Sequence, residues 1–194
     1  LTLGSWRITQ GRTEEGYAFY ARARQIGQWA PLADYYEFLR KFSTREFAEA
    51  DRLVRSAYQA GPAANPAAGI ALVHLTADGD MEAAARELAA VPAKLLTVPR
   101  IVVATAYVHF ARRKPEDALK ALDRLPDEYI QDAWGTGPKN GLVGFAHALA
   151  GRPAAARLAW EAGLAATDAR LKSAPRDPGY HHSRGMLLAW LGRA

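Results

Sequence analysis

Five histidines are the side chains best suited to chemistry in this sequence, and their spacing argues against a shared task. His181 and His182 are adjacent, so on a helix they diverge by about 100 degrees and cannot both grip one ion without distortion. His74, His109 and His147 lie far apart, with no acidic neighbour at ligand spacing, and read as polar positions inside a packed array. The stretch Gly135-Thr-Gly-Pro-Lys-Asn-Gly141 carries Lys139 and could suggest a phosphate cradle. It lacks the Gly-Lys-Ser/Thr ending that supplies a metal-binding hydroxyl, no strand is expected before it, and Pro138 removes an amide donor. The plainer reading is a loop whose Asn140 caps the next helix. Cys is absent, which removes disulfides, thiolate ligands and Cys nucleophiles together. His-Glu-x-x-His and Gly-x-Ser-x-Gly motifs are also missing, and no pair of carboxylates stands out as acid and base. No catalytic residue, metal or cofactor is expected, and the chain reads as a non-enzyme.

What has to be positioned is then a surface. The 194 residues are 49% apolar, with 25 Lys and Arg against 20 Asp and Glu, enough to bury a core. The net charge of +5 is spread so that each third of the chain carries +1 or +2, with both signs interleaved as in Arg112-Arg113-Lys114-Pro115-Glu116-Asp117. Interspersed signs build no long-range field, so no nucleic acid is expected as a partner. No apolar run approaches the ~20 residues of a spanning helix, which argues against membrane insertion. The opening Leu-Thr-Leu-Gly-Ser has neither Met nor a secretion pattern, so the chain is expected to be a piece of a longer protein, cytoplasmic, with the periplasm equally compatible with its lack of Cys.

Internal repetition then decides the expected fold. Gly16, Ala50, Ala84 and Ala118 stand 34 apart, a fifth copy places Ala156 after 38, and a sixth begins at Gly192. Four residues after each small residue comes a larger one: Tyr20, Val54, Leu88, Leu122 and Trp160. Three further on are Ala23, Ala57, Val91, Leu125 and Gly163. Twelve before it sit Gly4, Phe38, Leu72, Ala106 and Gly144, with Gly185 in the corresponding place of the sixth copy. Such a unit is two amphipathic helices joined by a tight turn, with Gly or Ala where the axes approach within ~8 to 10 Å. Gly11, Gly79, Gly151 and Gly192 suit left-handed helix ends, and Pro115 and Pro153 suit first-turn positions. Ser43-Thr-Arg-Glu46 has capping-box spacing, and Pro62, Pro92, Pro126 and Pro175 close the second helices. Helices are expected over roughly 1–10, 13–26, 31–42, 44–60, 66–77, 81–91, 99–112, 115–125, 138–150, 153–173 and 178–191. The long connector from Pro126 to Gly137 is expected to hold one extra helical turn over 127–134.

This pattern resembles the tetratricopeptide repeat, through Leu3-Gly4, Gly144, Gly185, Ala50, Ala84, Tyr20, Trp160 and Pro62. Departures are Phe38 and Leu72 in place of Gly, Gly16 in place of Ala, and the absence of Gly from the second and fourth turns. The resemblance implies an all-α, right-handed α-solenoid of about eleven helices. It would form one domain over 1–194, in units of about 1–30, 31–64, 65–98, 99–136, 137–176 and 177–194, the first and last incomplete. The stretches 141–178 and 188–193 are also similar to repeat arrays appended to bacterial serine/threonine kinases, adenylyl cyclases and transcriptional regulators, which implies a docking or sensory part of a larger signalling protein.

In that architecture first helices line the concave face. The register turns Tyr35, Leu39 and Phe42 inward, then Val73 and Thr76, then Arg100, Val103, Tyr107 and Phe110, then Phe145 and Leu149, and finally His182, Met186 and Trp190. This face is aromatic and apolar, with Arg100 almost its only charge, so the expected ligand is an apolar or amphipathic protein segment or peptide. The same spacing also suits packing of first helix against first helix. Two other readings come from other features: a small-molecule or sugar sensor near Trp134 and the connector, and a homo-oligomer formed through Trp190 and Leu191, which lack the second helix that should cover them.

Overall fold

The computed structural model describes residues 2–27, 29–125, 128–132 and 135–193. Expectations resting on Pro126, Asp127, Trp134 and Ala194 fall outside these. Eleven α-helices and one β-hairpin are found among the described residues. In the unit Leu1–Leu95 the helices are α1 (Thr2–Thr9), α2 (Thr13–Gln25), α3 (Ala30–Ser43), α4 (Phe47–Ala60), α5 (Ala64–Val73) and α6 (Met81–Ala89). In the unit Leu96–Ala194 they are α7 (Pro99–Ala111), α8 (Pro115–Leu122), α9 (Lys139–Leu149), α10 (Pro153–Ser173) and α11 (Pro178–Trp190). The chain is thus the all-α array of helical hairpins that the repeat predicts, and no described helix is long and apolar enough to cross a membrane.

The starts and stops follow from local chemistry. Prolines stand in the first turns of α3, α7, α8, α10 and α11, where the missing N–H has no helical partner to lose. Asp80 accepts from the Ala83 amide at 2.8 Å, and Asp177 accepts from the amides of Gly179 and Tyr180 at 2.8 and 3.1 Å, capping α6 and α11. The first helices end in left-handed residues. Gly11, Gly79, Gly151 and Gly192 have φ of 66 to 77°, and Arg45 and Arg113 take 62° and 54° at the two turns without Gly. The same bond closes five of these turns: the amides of Arg12, Glu46, Lys114, Arg152 and Arg193 donate to the carbonyls of Arg7, Lys41, His109, His147 and Leu188 at 2.8 to 2.9 Å. That is the Schellman closure, and it holds whether or not the sequence supplies Gly.

The small-residue register holds in both units. Ala50, Ala84 and Ala118 are 0% exposed and Ala156 is 1% exposed. A Cβ on Gly16 would press on Ile8 and lie 2.7 Å from the Gly4 carbonyl oxygen; one on Gly4 would lie 2.8 Å from the Tyr20 ring. A Cβ on Gly144 would collide with the Trp160 indole, whose Nε1 donates to the Gly141 carbonyl at 3.2 Å. Each hairpin is locked where its helices cross.

Four local expectations are corrected. Residues 129–132 form strand β1 (Tyr129–Asp132), paired antiparallel with β2 (Gly135–Pro138), instead of a helical turn; Tyr129 and Ile130 are both buried, and an alternating pair of side chains buries better on a strand. Asn140 lies inside α9 and does not cap it, the N-cap position being Pro138. Ser43 and Thr44 do not cap α4; the Ser43 hydroxyl donates to the Arg40 carbonyl at 2.7 Å, and the Thr44 hydroxyl donates to the Glu46 carboxylate at 2.7 Å. Leu72 is half-buried, while Ala71 is 1% exposed. The segment His74–Asp78 is a π-helix, whose wide turn consumes an extra residue, so the buried position slides back by one. Gly69, which the 34-residue count passes over, is the tight spot of α5, its Cβ site 2.8 Å from Val54 and 3.0 Å from Phe38.

Two variants test this account. Gly144→Ala should lose about 1–3 kcal/mol in urea unfolding, the usual cost of forcing a methyl into a filled contact. Arg113→Gly should gain about 0.5–1 kcal/mol, because a left-handed residue with a Cβ is strained.

Candidate functional site

The two units spend their aromatic residues differently. In Leu1–Leu95 the Tyr and Phe side chains of α2, α3 and α4 pack on one another, while Trp6 and Trp29 are exposed. Tyr20 stacks on Tyr36 at 4.3 Å, Tyr35 tilts against Phe38 at 5.7 Å, Phe38 against Phe42 at 5.8 Å, and Phe42 meets Phe47 edge-on at 5.6 Å. Tyr35 is buried, and Leu39 and Phe42 are half-buried, so the structure places these three inside or at the margin of the core. Val73 is buried and Thr76 is exposed within the π-helical turn. This unit also holds Asp34, a buried carboxylate absent from the sequence reading. Ser56 Oγ donates to its Oδ2 at 2.8 Å and Arg24 Nε lies 2.9 Å from Oδ1 as an ion pair without hydrogen-bond alignment, so α2, α3 and α4 meet at one paired charge.

His74 belongs to an ionic group and not to a metal site. Arg55 spans Asp51 at 2.9 Å and Glu87 at 3.0 Å, and its Nη2 lies 3.1 Å from His74 Nε2. Asp78 and Glu87 stand 3.5 and 3.6 Å from the ring, correcting the expectation of no acidic neighbour. Arginine only donates, so His74 Nε2 is the acceptor and its proton sits on Nδ1, towards Asp78. No group of three His, Cys, Asp or Glu side chains suited to an ion occurs among the described residues.

In Leu96–Ala194 two aromatic residues, Tyr107 and Phe145, reach the surface, and Phe110, Tyr129 and Tyr180 are buried. Tyr107, Phe145 and Met186 occupy one register position on α7, α9 and α11, and are 52%, 41% and 39% exposed. Phe110, 8% exposed, lies beneath the first two, meeting Tyr107 edge-on at 6.1 Å and Phe145 at 4.9 Å. Burial raises the Tyr107 phenol above its ordinary value of 10.0. Three rings in edge-to-face contact hold one another's rotamers, so the two exposed ones are presented pre-ordered. Of the other expected positions, Arg100 is buried, Val103, Leu149 and Trp190 are half-buried, and His182 is exposed.

The hairpin and the last helix complete this unit. Tyr129 meets Tyr180 edge-on at 5.4 Å and lies under the Arg170 guanidinium at 4.4 Å. Ile130 joins the core of Val102, Ala106, Phe110, Ala118, Leu122, Leu125 and Ala146. The Lys139 amide donates to the Glu128 carbonyl at 2.8 Å and its ammonium to the Leu125 carbonyl at 3.3 Å. A strand does precede Lys139, against expectation, but its ammonium is tied to the connector and does not stand over an anion cradle. Trp190 packs on Trp160 at 5.7 Å and Leu191 is buried, which corrects the expectation that both are bare.

The chain and a tetratricopeptide repeat protein from Parabacteroides merdae share one fold. Superposition covers 99% of this chain and 72% of that one, with a TM-score of 0.59 and 11% sequence identity. No protein-family model and no curated protein matches the chain.

One titration is built into the unit. His109 Nδ1 is buried without a partner among the described residues, and burial holds its imidazole below the ordinary 6.5. As pH falls the unfolded chain takes up the proton first, so stability from this group is complete above about 6.5 and drains away below it. The melting temperature should therefore drop between pH 7.5 and pH 5, and His109→Gln should flatten part of that slope in scanning calorimetry.

Proposed function

We propose that this chain is a non-catalytic scaffold that captures an apolar or amphipathic segment of a protein against the wall formed by Tyr107, Phe145 and Met186, with Val103, His182 and Trp190 along the same first helices. The observation that carries the reading is the coincidence of exposure with register. Three large apolar side chains stay open at one repeat position on three first helices, where the first unit has the half-buried Ser5 and Leu39 and the buried Val73. Solvated apolar surface is costly, and rigid aromatic anchors above a packed ring are what a binding hot spot requires. Arg100 is buried, so the wall carries little charge and favours apolar contacts over a clamp for a carboxylate. Phe110 supports the wall from beneath. The repeat-array resemblance adds the setting, a docking or sensory part of a larger bacterial signalling protein.

A displayed library of random peptides selected on the chain should yield ligands rich in Leu, Ile and aromatic residues. Tyr107→Glu should weaken those ligands at least tenfold by calorimetry, with helix content unchanged by circular dichroism. Ligands that bind the variant equally well would overturn the assignment of the wall.

A further inference from the structure

Seven positions separate each open side chain of the wall from a basic residue: Tyr107 from Lys114, Phe145 from Arg152 and Met186 from Arg193. The fold makes that spacing spatial. Each of these first helices ends in a left-handed residue, Arg113, Gly151 or Gly192, and the amide of the residue after it donates to the carbonyl of His109, His147 or Leu188 at 2.8 to 2.9 Å. Lys114, Arg152 and Arg193 therefore leave α7, α9 and α11 from equivalent points of three like turns. At ~1.5 Å per residue the basic row lies about 10 Å from the apolar one along the helix axes.

The same position is filled differently in the unit Leu1–Leu95, where it holds Arg12, Glu46 and Asp80. All three are occupied locally: Arg12 pairs with Glu15, Glu46 with Lys41, and Asp80 caps α6. A first helix of this chain thus has no general need of a base at that point to complement its dipole. In the unit Leu96–Ala194, Arg112, Arg113, Lys114, Arg152 and Arg193 outnumber the acids beside them, Glu116, Asp117 and Glu161. Arg113 and Lys114 are exposed, and Asp117 is turned to Lys120 at 3.6 Å. Arg152 and Arg193 meet Glu116 and Glu161 at 2.8 Å in pairs open to solvent, which a ligand carboxylate exchanges at little cost. His109 registers the local excess: burial lowers its pKa most, Asp117 opposes, and Arg112, Lys114 and Arg124 push it down further.

We propose that the segment captured by the wall is an acidic amphipathic helix of a partner protein, its apolar stripe on Tyr107, Phe145 and Met186 and a flank of Asp or Glu turned to Lys114, Arg152 and Arg193. This rests on the reading of the wall as a binding surface, and adds to it the charge and orientation of the ligand. A helix with its side chains is about 10–12 Å across, so one helix covers both rows. An extended strand, whose side chains alternate between opposite faces, covers only one. The other ends of the first helices offer no equivalent row. Arg100 is buried, the Lys139 ammonium is tied to the Leu125 carbonyl, and Asp177 caps α11. The acidic flank therefore has one edge to face, and the charges select the partner and its direction while the apolar wall holds it.

The probes are three acetylated, fluorescently tagged peptides of about five helical turns, identical in a Leu and Trp stripe and carrying Glu, Gln or Lys along one flank. Each is titrated into the full chain and followed by anisotropy. The Glu peptide should bind at least tenfold more tightly than the Gln peptide, the Lys peptide more weakly than either, and the preference should shrink as salt rises. Lys114→Glu combined with Arg152→Glu should invert the order, while Tyr107→Ala should weaken all three. Should the double variant lower the melting temperature, Lys114→Glu alone, at an exposed side chain, should still cut the preference severalfold. Equal binding of all three peptides, lost in Tyr107→Ala, overturns the proposal and leaves the wall standing; binding of none overturns both. A mixed-sequence oligonucleotide that binds the chain and is released by Lys114→Glu but not by Tyr107→Ala would assign the basic row to nucleic acid, and overturn the proposal as well.

Discussion

The close crossing of the two helices within each hairpin is the constraint on which the other features rest. At Gly16 the backbones approach too closely for a Cβ, and Ala50, Ala84, Ala118 and Ala156 at the same position are essentially closed to solvent. Such contact is short-ranged: a gap or a clash of half an ångström forfeits much of the dispersion energy. Fixing this point fixes which side chain interdigitates one turn later, namely Tyr20, Val54, Leu88 and Leu122, all 4% exposed or less. The residues on the other faces of the first helices are then released from packing inside their own hairpin, and they become either contacts with the next hairpin or surface.

The turns serve the same end with fewer demands on sequence. The left-handed residue and its six-residue hydrogen-bonded closure recur at Gly11, Gly151 and Gly192, and equally at Arg45 and Arg113. Strain of a left-handed arginine is about 1–2 kcal/mol, small beside the burial gained by placing two helices side by side. Where the repeat contains one residue too many in its first helix, the backbone widens into the π-turn His74–Asp78 and keeps the turn geometry intact. The third turn still reaches back to the His74 carbonyl, from the Asp80 amide at 3.1 Å.

Function follows from which surface is left over. Tyr20, Tyr35, Tyr36, Phe38, Phe42 and Phe47 bond to one another and leave little ring surface to a ligand. In the second unit Phe110 supports two rings that have no further partner of the kind. Whether a Tyr or Phe ring on these helices is closed in or left open thus depends on whether a neighbouring helix supplies a ring over it.

The fold was legible because its cause is periodic. A small residue every 34 positions reports the helix crossings, and Pro and Gly report the starts and stops, since each acts through local backbone sterics that do not depend on distant contacts. The eleven helices accordingly lie within three residues of the expected starts and stops, once the π-turn is counted with the helix it ends. The candidate wall was legible only as a register. Sequence placed Tyr35, Tyr107, Phe110 and Phe145 in one class, and nothing in their types separates buried from exposed. That depends on whether a second ring arrives from another helix, a long-range matter. The strand pair at 129–138, the slide from Leu72 to Ala71, the salt-bridged Asp34 and the cover over Trp190 have the same character. Local sterics are written in the neighbouring residues and can be read along the chain, whereas the choice between core and surface for an aromatic side chain is made by atoms far away in sequence, and only the folded structure brings them together.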